Sequence, residues 1–278
     1  MDKKNLLTRG VSGIIYMGLI VGSIFWGIIP FSCLAAVFGA LAVTEFSRLC
    51  GDRESNPNFL PPLILDIAGV VALSFSWLVF PVFIWLCIFI CRLILELYLK
   101  NKKPLTCMAY SLMTQLYIGL PLACMTFIAR YWGLHLVLAI FLMIWINDTG
   151  AFITGCSFGR NRLFERISPK KSWEGFFGGL AFNLLAGWLF AIGGKHFWET
   201  YWNVPTWLLF GATVTVFSTW GDLIESMIKR SLQVKDSGNL IPGHGGILDR
   251  IDSLLLVMPA ALLFLLLYLS MFSINYLL

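Results

Sequence analysis

Long apolar segments recur along the whole chain and are separated by short polar stretches. They cover residues 11–29, 31–47, 60–79, 80–99, 105–129, 134–154, 175–194, 206–228 and 254–274. An α-helix needs about 20 apolar residues to cross the hydrocarbon core of a bilayer. The pattern therefore predicts an all-α integral membrane protein, a polytopic bundle of about nine transmembrane helices. The divisions around Pro30 and Pro81 rest on proline alone, which ends or bends a helix.

The composition is that of a membrane protein rather than a soluble domain. Hydrophobic residues make up 58% of the chain and charged residues only 13%, whereas a soluble domain carries about 25% charged residues. We expect the lipid bilayer, and no nucleic acid, as its surroundings and partner. The composition leaves a homodimer open.

The positions of the basic residues predict the orientation, because cytoplasmic loops of membrane proteins are rich in Lys and Arg. The N-terminus is expected in the cytoplasm, since Lys3, Lys4 and Arg9 precede the first span. With nine spans, all 20 Lys and Arg residues then fall on the cytoplasmic side except Arg130, Lys195 and the intramembrane Arg92.

Polar residues divide the chain into two parts. Residues 1–130 contain few intramembrane polar groups apart from Glu45, Asp66, Arg92 and Glu96. From Asn147 onward, polar residues cluster at the predicted cytoplasmic helix ends. We therefore interpret 1–130 as a scaffold of transmembrane helices and 131–278 as the catalytic region, within one integral membrane unit.

Acidic residues at two of these helix ends predict a cation site. Asp222, Glu225 and Lys229 share one helical face, and Asp249 and Asp252 have the same three-residue spacing. Carboxylates at a membrane helix end mark an ion or a polar cavity, and carboxylates from separate segments are typical ligands of Mg²⁺. For Glu225 and Lys229, a salt bridge that holds the helix end is the alternative.

Basic and glycine residues around these acids predict phosphate binding. The turn Pro242-Gly243-His244-Gly245-Gly246 offers backbone N–H groups that could cradle an anion. Cations that could bind phosphates are Lys229, Arg230, Lys235 and Arg250.

A second phosphate-binding motif is Ser168-Pro169-Lys170-Lys171-Ser172-Trp173-Glu174-Gly175. It precedes an apolar segment, so a helix is expected to begin there, and helix N-termini attract anions. The hydroxyl groups could cap this helix, and Glu174 could hold a lysine. The nearby Arg160, Arg162 and Arg166 are interpreted as topology determinants or lipid-headgroup contacts.

The run from Ser226 to Asp252 resembles the signature of the phosphatidate cytidylyltransferases, the CDP-diacylglycerol synthases. The resemblance rests on Ser226-x-x-Lys229-Arg230, Lys235-Asp236-x-Gly238, Ile241-Pro242-x-His244-Gly245-Gly246 and Asp249-Arg250-x-Asp252. Asn147-Asp148-Thr149 and the motif at 168–175 are similar to the family's other recurrent segment. The resemblance covers about residues 140 to 255.

The resemblance implies a Mg²⁺-dependent enzyme of phospholipid biosynthesis in the cytoplasmic (inner) membrane, with the number of metal ions left open. Its substrates would be CTP and phosphatidic acid and its products CDP-diacylglycerol and pyrophosphate. Both substrates reach the cytoplasmic side, where the predicted site lies. The resemblance points to Asp222 and Asp249 as metal ligands.

The residues expected in the site fall into three groups. The expected metal ligands are Asp222, Glu225 and Asp249. The expected catalytic residues are Lys229, Arg230, Lys235, Asp236, His244, Arg250 and Asp252. The expected substrate-binding residues are Asn147, Asp148, Ser168, Lys170, Lys171, Ser172, Glu174, Ser226, Gly245 and Gly246.

Two other functions remain as alternatives. One is a CTP-dependent cytidylyltransferase or kinase that acts on another membrane lipid, which the residues alone do not exclude. The other is an ion-coupled transporter, which would carry its acidic residues near the bilayer midplane. The charges here crowd the predicted cytoplasmic helix ends, which disfavours the transporter.

Overall fold

The fold is described by a computed structural model for residues 3–50, 60–194, 197, 198, 200, 202–238 and 245–275. Over these residues the chain forms nine helices and one β-hairpin. The helices are α1 (Lys3–Trp26), α2 (Ile28–Cys50), α3 (Leu60–Leu73), α4 (Val79–Tyr98), α5 (Pro104–Tyr131), α6 (Leu134–Phe158), α7 (Trp173–Gly193), α8 (Val204–Ser231) and α9 (Leu248–Asn275). The hairpin consists of β1 (Arg162–Phe164) and β2 (Ser168–Ser172). The predicted all-α class is confirmed.

Each predicted apolar segment corresponds to one helix of the described chain. Seven of these helices, α2 and α4 to α9, are long and apolar enough to cross a membrane. The apolar part of α1 (Gly10–Trp26) and α3 are shorter. The chain is therefore a multi-pass membrane protein.

The two helix boundaries assigned to proline lie a few residues earlier than predicted. The break between α1 and α2 falls at Gly27, whose φ of +119° is one that favours glycine. Pro30 is the third residue of α2, and Pro81 is the third residue of α4. Proline is tolerated in the first turn of a helix, where its missing N–H would have no partner. Each proline therefore marks a helix start rather than the break itself.

The chain divides into two compact units. The first consists of Met1–Arg130 and Ser231–Ile251, and the second of Tyr131–Arg230 and Asp252–Leu278. The division at residue 130 into scaffold and catalytic region concerns function and stays a prediction.

Buried hydrogen bonds connect α3, α4 and α5 in the first unit. Ser111 Oγ on α5 donates to Asp66 Oδ2 on α3 over 2.8 Å, and Arg92 Nε on α4 donates to Ser111 Oγ over 2.8 Å. Arg92 Nη1 also pairs with Glu96 Oε2 at 2.9 Å. Buried charges are costly unless they are paired and hydrogen-bonded, and this network meets that requirement for most of the polar groups predicted within the scaffold.

Close packing of α6 against α7 brings the polar ends of both helices together in the second unit. A Cβ on Gly178 would lie 1.9 Å from Thr154 Oγ1, and one on Gly179 would lie 2.5 Å from Asn147 Oδ1. Only glycine allows this approach. The hairpin precedes α7 with its two strands antiparallel and Arg162 opposite Ser172.

Candidate active site

Three carboxylates from two helices come together in the second unit. Asp222 and Glu225 lie one turn apart on α8, and Asp252 lies near the start of α9. One carboxylate oxygen of each lies within 4.8 Å of those of the other two. Glu225 is buried, and the two aspartates are half-buried. We refer to these three residues as the acidic cluster. It contains two predicted metal ligands and, in Asp252, a residue predicted to be catalytic.

Two lysines lie against the acidic cluster. Lys171 Nζ lies 2.6 Å from Asp222 Oδ2 and also donates to the carbonyl oxygen of Thr219 over 3.3 Å. Lys229 forms an ion pair with Glu225, the salt bridge that the sequence left open. With all groups ionised, three carboxylates face two ammonium groups, so a divalent cation would offset the remaining negative charge.

The donor set of the acidic cluster fits Mg²⁺. This ion prefers oxygen ligands at about 2.1 Å in octahedral geometry, where ligand oxygens lie about 3 Å apart as neighbours and about 4.2 Å apart when opposite. Three carboxylate oxygens within 4.8 Å of one another need only small side-chain rotations to reach that spacing. The Mg²⁺ ion itself stays a prediction.

Ser226 orients one carboxylate of the acidic cluster. It lies one turn beyond Asp222 on α8, and its Oγ donates to Asp222 Oδ1 over 3.2 Å. Since Lys171 contacts the other oxygen, Oδ2, both oxygens of Asp222 have a defined partner. Ser226 thus contacts a predicted metal ligand, and its predicted role in substrate binding stays a prediction.

The β-hairpin leads directly into the N-terminus of α7. Ser172 is the N-cap of this helix, and its hydroxyl oxygen accepts a hydrogen bond from the Gly175 N–H over 3.1 Å, as the sequence predicted. Lys170 and Lys171 immediately precede the cap on β2. The free N–H groups and the dipole of a helix N-terminus favour an anion, so two ammonium groups and a helix end meet at one place.

Glu174, in the first turn of α7, contacts the chain before the hairpin. Its carboxylate accepts hydrogen bonds from the Asn161 N–H at 3.1 and 3.2 Å and from Asn161 Nδ2 at 2.8 Å. Among the described contacts its partner is therefore Asn161 rather than the lysine expected from the sequence. The hairpin causes this, because it turns the chain back so that residue 161 meets the start of α7.

A cavity of about 300 Å³ lies beside these groups in the second unit. Its polar lining consists of Asn147, Asp148, Lys170, Lys171, Ser172, Thr219 and Asp222. Its apolar lining includes Phe152, Leu163 and Phe176. The cavity therefore joins the positive helix end to one carboxylate of the acidic cluster. Its volume is at the lower end of the range of small-molecule sites.

Asn147 is buried at the wall of this cavity, next to the exposed Asp148. Its Nδ2 makes long hydrogen bonds to Ser218 Oγ at 3.4 Å and to Asp148 Oδ1 at 3.5 Å. Its Oδ1 accepts no hydrogen bond from the described residues. A buried amide oxygen normally has a donor; here the oxygen is packed against Gly179 of α7.

Residues 231–238 and 245–251 of the signature segment belong to the first unit, and Asp249 organises them. Its Oδ2 accepts hydrogen bonds from the Ser237 N–H at 2.9 Å, from Ser237 Oγ at 2.8 Å and from the Gly246 N–H at 2.8 Å. Gly245 has a φ of +80°, and a Cβ there would lie 2.6 Å from Asp249 Oδ2. Asp249 thus ties two parts of the segment together, and its role as a metal ligand stays a prediction.

Most of the other predicted catalytic residues lie on the surface. The exposed ones are Arg230, Lys235, Asp236 and Arg250. Arg230 Nε donates to the carbonyl oxygen of Ile167, between the two strands, over 3.4 Å. Ser168 begins strand β2. His244 lies outside the described residues.

Sequence reasoning missed two residues that contact predicted site residues. Thr219 contacts Lys171 through its backbone carbonyl, and a backbone group leaves no signature in the sequence. Ser237 contacts Asp249 from an unassigned position between Asp236 and Gly238. Its only signal in the sequence was a hydroxyl residue between Asp236, a predicted site residue, and Gly238 of the signature.

Comparison with known proteins matches this chain to cytidylyltransferases. Residues 7–268 match the sequence profile of the cytidylyltransferase family. A phosphatidate cytidylyltransferase of Staphylococcus haemolyticus is 36% identical over 228 residues, which cover 80% of this chain and 76% of that protein. A phosphatidate cytidylyltransferase of Staphylococcus aureus is 40% identical over 162 residues, which cover 58% of this chain. The match spans only 60% of the length of that S. aureus relative.

Proposed function

We propose, because this chain belongs to the cytidylyltransferase family, that it transfers the cytidylyl group of CTP to phosphatidic acid. The products are CDP-diacylglycerol and pyrophosphate. One observation carries the proposal: a single cavity joins two lysines and a helix N-terminus to a carboxylate of a three-carboxylate cluster. The lysines and the helix N-terminus suit phosphate groups. The carboxylates suit a divalent cation.

The reaction requires positioning and charge neutralisation. A phosphate oxygen of phosphatidic acid attacks the α-phosphorus of CTP, and the bond from that phosphorus to the oxygen bridging to the β-phosphate breaks. Pyrophosphate then leaves with the electron pair of that bond. A phosphate monoester is already an anionic nucleophile, so the chain needs no nucleophilic side chain. The protein lowers the activation barrier by aligning CTP with phosphatidic acid and by offsetting the repulsion between their negative charges.

The residues around the cavity divide this work. Lys170, Lys171 and the N-terminus of α7 bind phosphate oxygens and offset their charge. Asn147 and Asp148 line the same cavity as these lysines and contribute its polar wall. Asp222 and its two partners in the acidic cluster hold Mg²⁺, which supplies Lewis-acid neutralisation of the triphosphate when bound.

The site faces the cytoplasm in this proposal. The support is the excess of Lys and Arg in the loops that would lie on that side. CTP is a cytosolic solute, and phosphatidic acid offers its headgroup in the cytoplasmic leaflet. A site at the cytoplasmic mouth of the helices gives both substrates access, one from water and one from the bilayer.

Pyrophosphate release by the purified protein tests the proposal. We expect release from CTP only when phosphatidic acid and Mg²⁺ are both present, with CDP-diacylglycerol formed in equal amount. Asp222→Asn, which removes a carboxylate from the acidic cluster, should lower turnover at least about a hundredfold, the scale for losing a group that stabilises transition-state charge. Release that requires a different lipid acceptor would assign the chain to another reaction of the same class. No release with any lipid would refute the proposal.

A further inference from the structure

A buried carboxylate of the first unit, that of Glu45 on α2, accepts hydrogen bonds from the N-terminus of α9. Glu45 lies near the end of α2 and is 6% exposed. Its Oε1 accepts a hydrogen bond from the Ile247 N–H at 2.9 Å, and its Oε2 accepts one from the Leu248 N–H at 2.9 Å. Ser237 Oγ lies 3.2 Å from Oε2 and can donate to it as well.

These contacts make Glu45 a helix cap supplied from another helix. α9 begins at Leu248, so the N–H groups of Ile247 and Leu248 belong to the end of the helix that has no intrahelical acceptors. Ile247, which precedes the helix, has a side chain that accepts no hydrogen bond. A negative charge at a helix N-terminus is also favoured by the helix dipole. Glu45 supplies both the acceptor atoms and the charge.

The surrounding backbone is shaped to admit this carboxylate. A Cβ on Gly238 would lie 2.9 Å from Glu45 Oε1, and a Cβ on Gly246 would lie 2.3 Å from Oε2. The chain can therefore approach Glu45 this closely at these two positions only as glycine. Close backbone approach to a ligand or side chain is one of the functions of glycine.

Ser237 couples Glu45 to Asp249. Its hydroxyl lies 3.2 Å from Glu45 Oε2 and 2.8 Å from Asp249 Oδ2. A hydroxyl has one proton to donate, and the shorter distance favours Asp249. Glu45 and Asp249 thus hold Ser237, Gly246 and the start of α9 as one assembly, which also carries Arg250.

We propose that Glu45 is a positioning residue for the reaction. Its hydrogen bonds go to Ile247, Leu248 and Ser237, none of which we assign to substrate binding, and they fix where α9 begins and how the segment around Asp249 is held. The proposal rests on the proposed function, since the segment that Glu45 holds is the one expected to bind substrate phosphates. Glu45 would then serve the reaction although it lies in residues 1–130, which the sequence predicted to be a scaffold.

The test compares Glu45→Gln with Asp66→Asn. Both replace a buried carboxylate of the first unit by its amide, but the Asp66 carboxylate accepts a hydrogen bond from Ser111 Oγ rather than from the signature segment. In Glu45→Gln the side-chain amide presents one NH₂ group to donors that previously met a carboxylate oxygen. Glu45→Asp keeps the negative charge but shortens the side chain by about 1.5 Å. It therefore distinguishes the effect of the carboxylate's position from the effect of its charge.

Two measurements are made on each variant in mixed micelles. Hydrogen–deuterium exchange of the backbone amides of Ile247 and Leu248 reports the cap and needs no substrate. We expect at least about tenfold faster exchange in Glu45→Gln, an intermediate rate in Glu45→Asp and no change in Asp66→Asn. Steady-state kinetics should show kcat/KM for CTP lowered at least about tenfold in Glu45→Gln, with KM for phosphatidic acid within about twofold of wild type.

The outcomes separate this proposal from the proposed function. Unchanged exchange at Ile247 and Leu248 in Glu45→Gln would overturn the cap. Faster exchange with kinetics equal to those of Asp66→Asn would overturn the positioning role. If Glu45→Gln does not fold, Glu45→Asp decides by the same two criteria. If the wild type releases no pyrophosphate, the proposed function fails, while the exchange rates still decide whether Glu45 holds the segment.

Discussion

Lys171 occupies the contact between the phosphate-binding and metal-binding parts of the candidate site. It is half-buried, whereas Lys170 next to it and Arg162 on the opposite strand are exposed. Its ammonium group contacts Asp222 at 2.6 Å. A basic residue that only determined membrane orientation would need neither burial nor a carboxylate partner.

Lys171→Ala should therefore impair the enzyme far more than Arg162→Ala. The loss of a hydrogen bond to a charged group costs about 1.5–3 kcal/mol, which corresponds to a roughly tenfold to hundredfold lower kcat/KM. Arg162→Ala should remain within about twofold of wild type, because exposed charges contribute little. Kinetics with CTP and phosphatidic acid varied separately measure both variants. Equal, mild effects at the two positions would leave Lys171 with a topological role only.

Individual site residues were predictable where a local motif carried them. Ser172 and Lys171 stand in a short motif before an apolar segment, and the cap of α7 follows from that motif alone. The sequence analysis expected Asp249 to bind the metal and Asp252 to be catalytic, although their spacing places both on one helical face. Which of them joins Asp222 and Glu225 depends on tertiary packing, and the structure groups Asp252 with them. The contact of Glu45 with Leu248 spans 203 residues and leaves no local pattern.

At the scale of elements, the N-terminus of α7 links stability to the site. Its cap, Ser172, stabilises the helix through its hydroxyl group and is also one of the residues that line the cavity. The helix itself packs closely on α6 through glycines. Loosening its first turn would therefore move the free N–H groups that favour an anion.

Ser172→Ala should lower the stability of the protein by about 1 kcal/mol, the usual cost of losing an N-cap side chain. The reason is that the Gly175 N–H loses its acceptor. Thermal unfolding in detergent measures this, with Ser172→Thr as the matched control, since threonine keeps the hydroxyl. The prediction is wrong if both variants unfold at the same temperature as wild type.

Helix number was predictable, but helix ends and the hairpin were not. Apolar length along the chain identified nine segments, each of which is a helix in the described structure. The breaks lie before Pro30 and Pro81 because proline is accommodated in a first turn, so it marks the start of a helix with an offset of a few residues. Strands β1 and β2 are three and five residues long, which is too short for alternation to show, and β2 contains Pro169.

At the scale of the whole molecule, the orientation in the membrane determines which solution the site meets. We expect the hairpin at 162–172 to face the cytoplasm and Arg130 to face the other side, from the distribution of Lys and Arg. Both positions of the test, Glu165 in the hairpin and Arg130, are exposed. Single cysteines can be placed there after the seven native cysteines have been replaced.

In sealed right-side-out vesicles, a membrane-impermeant thiol reagent should label Arg130→Cys at once. Glu165→Cys should react only after the vesicles are opened, because the reagent cannot reach the cytoplasmic side. The reverse labelling would overturn the orientation and remove the access of cytosolic CTP to the site. Equal labelling of both in intact vesicles would indicate leaky vesicles, which a sealed-marker assay detects beforehand.

The pairing of Arg92 with Glu96 on a single helix bears on how the chain enters the membrane during synthesis. The two side chains meet at 2.9 Å across one turn of α4, so this helix carries its own counter-charge before any later helix has been made. An unpaired arginine at the centre of an inserting helix costs about 2.5–3.5 kcal/mol. Asp66 on α3 differs, because its partner Ser111 is made 45 residues later. The insertion machinery therefore receives α4 already neutralised, whereas α3 gains its hydrogen-bond partner only when α5 arrives.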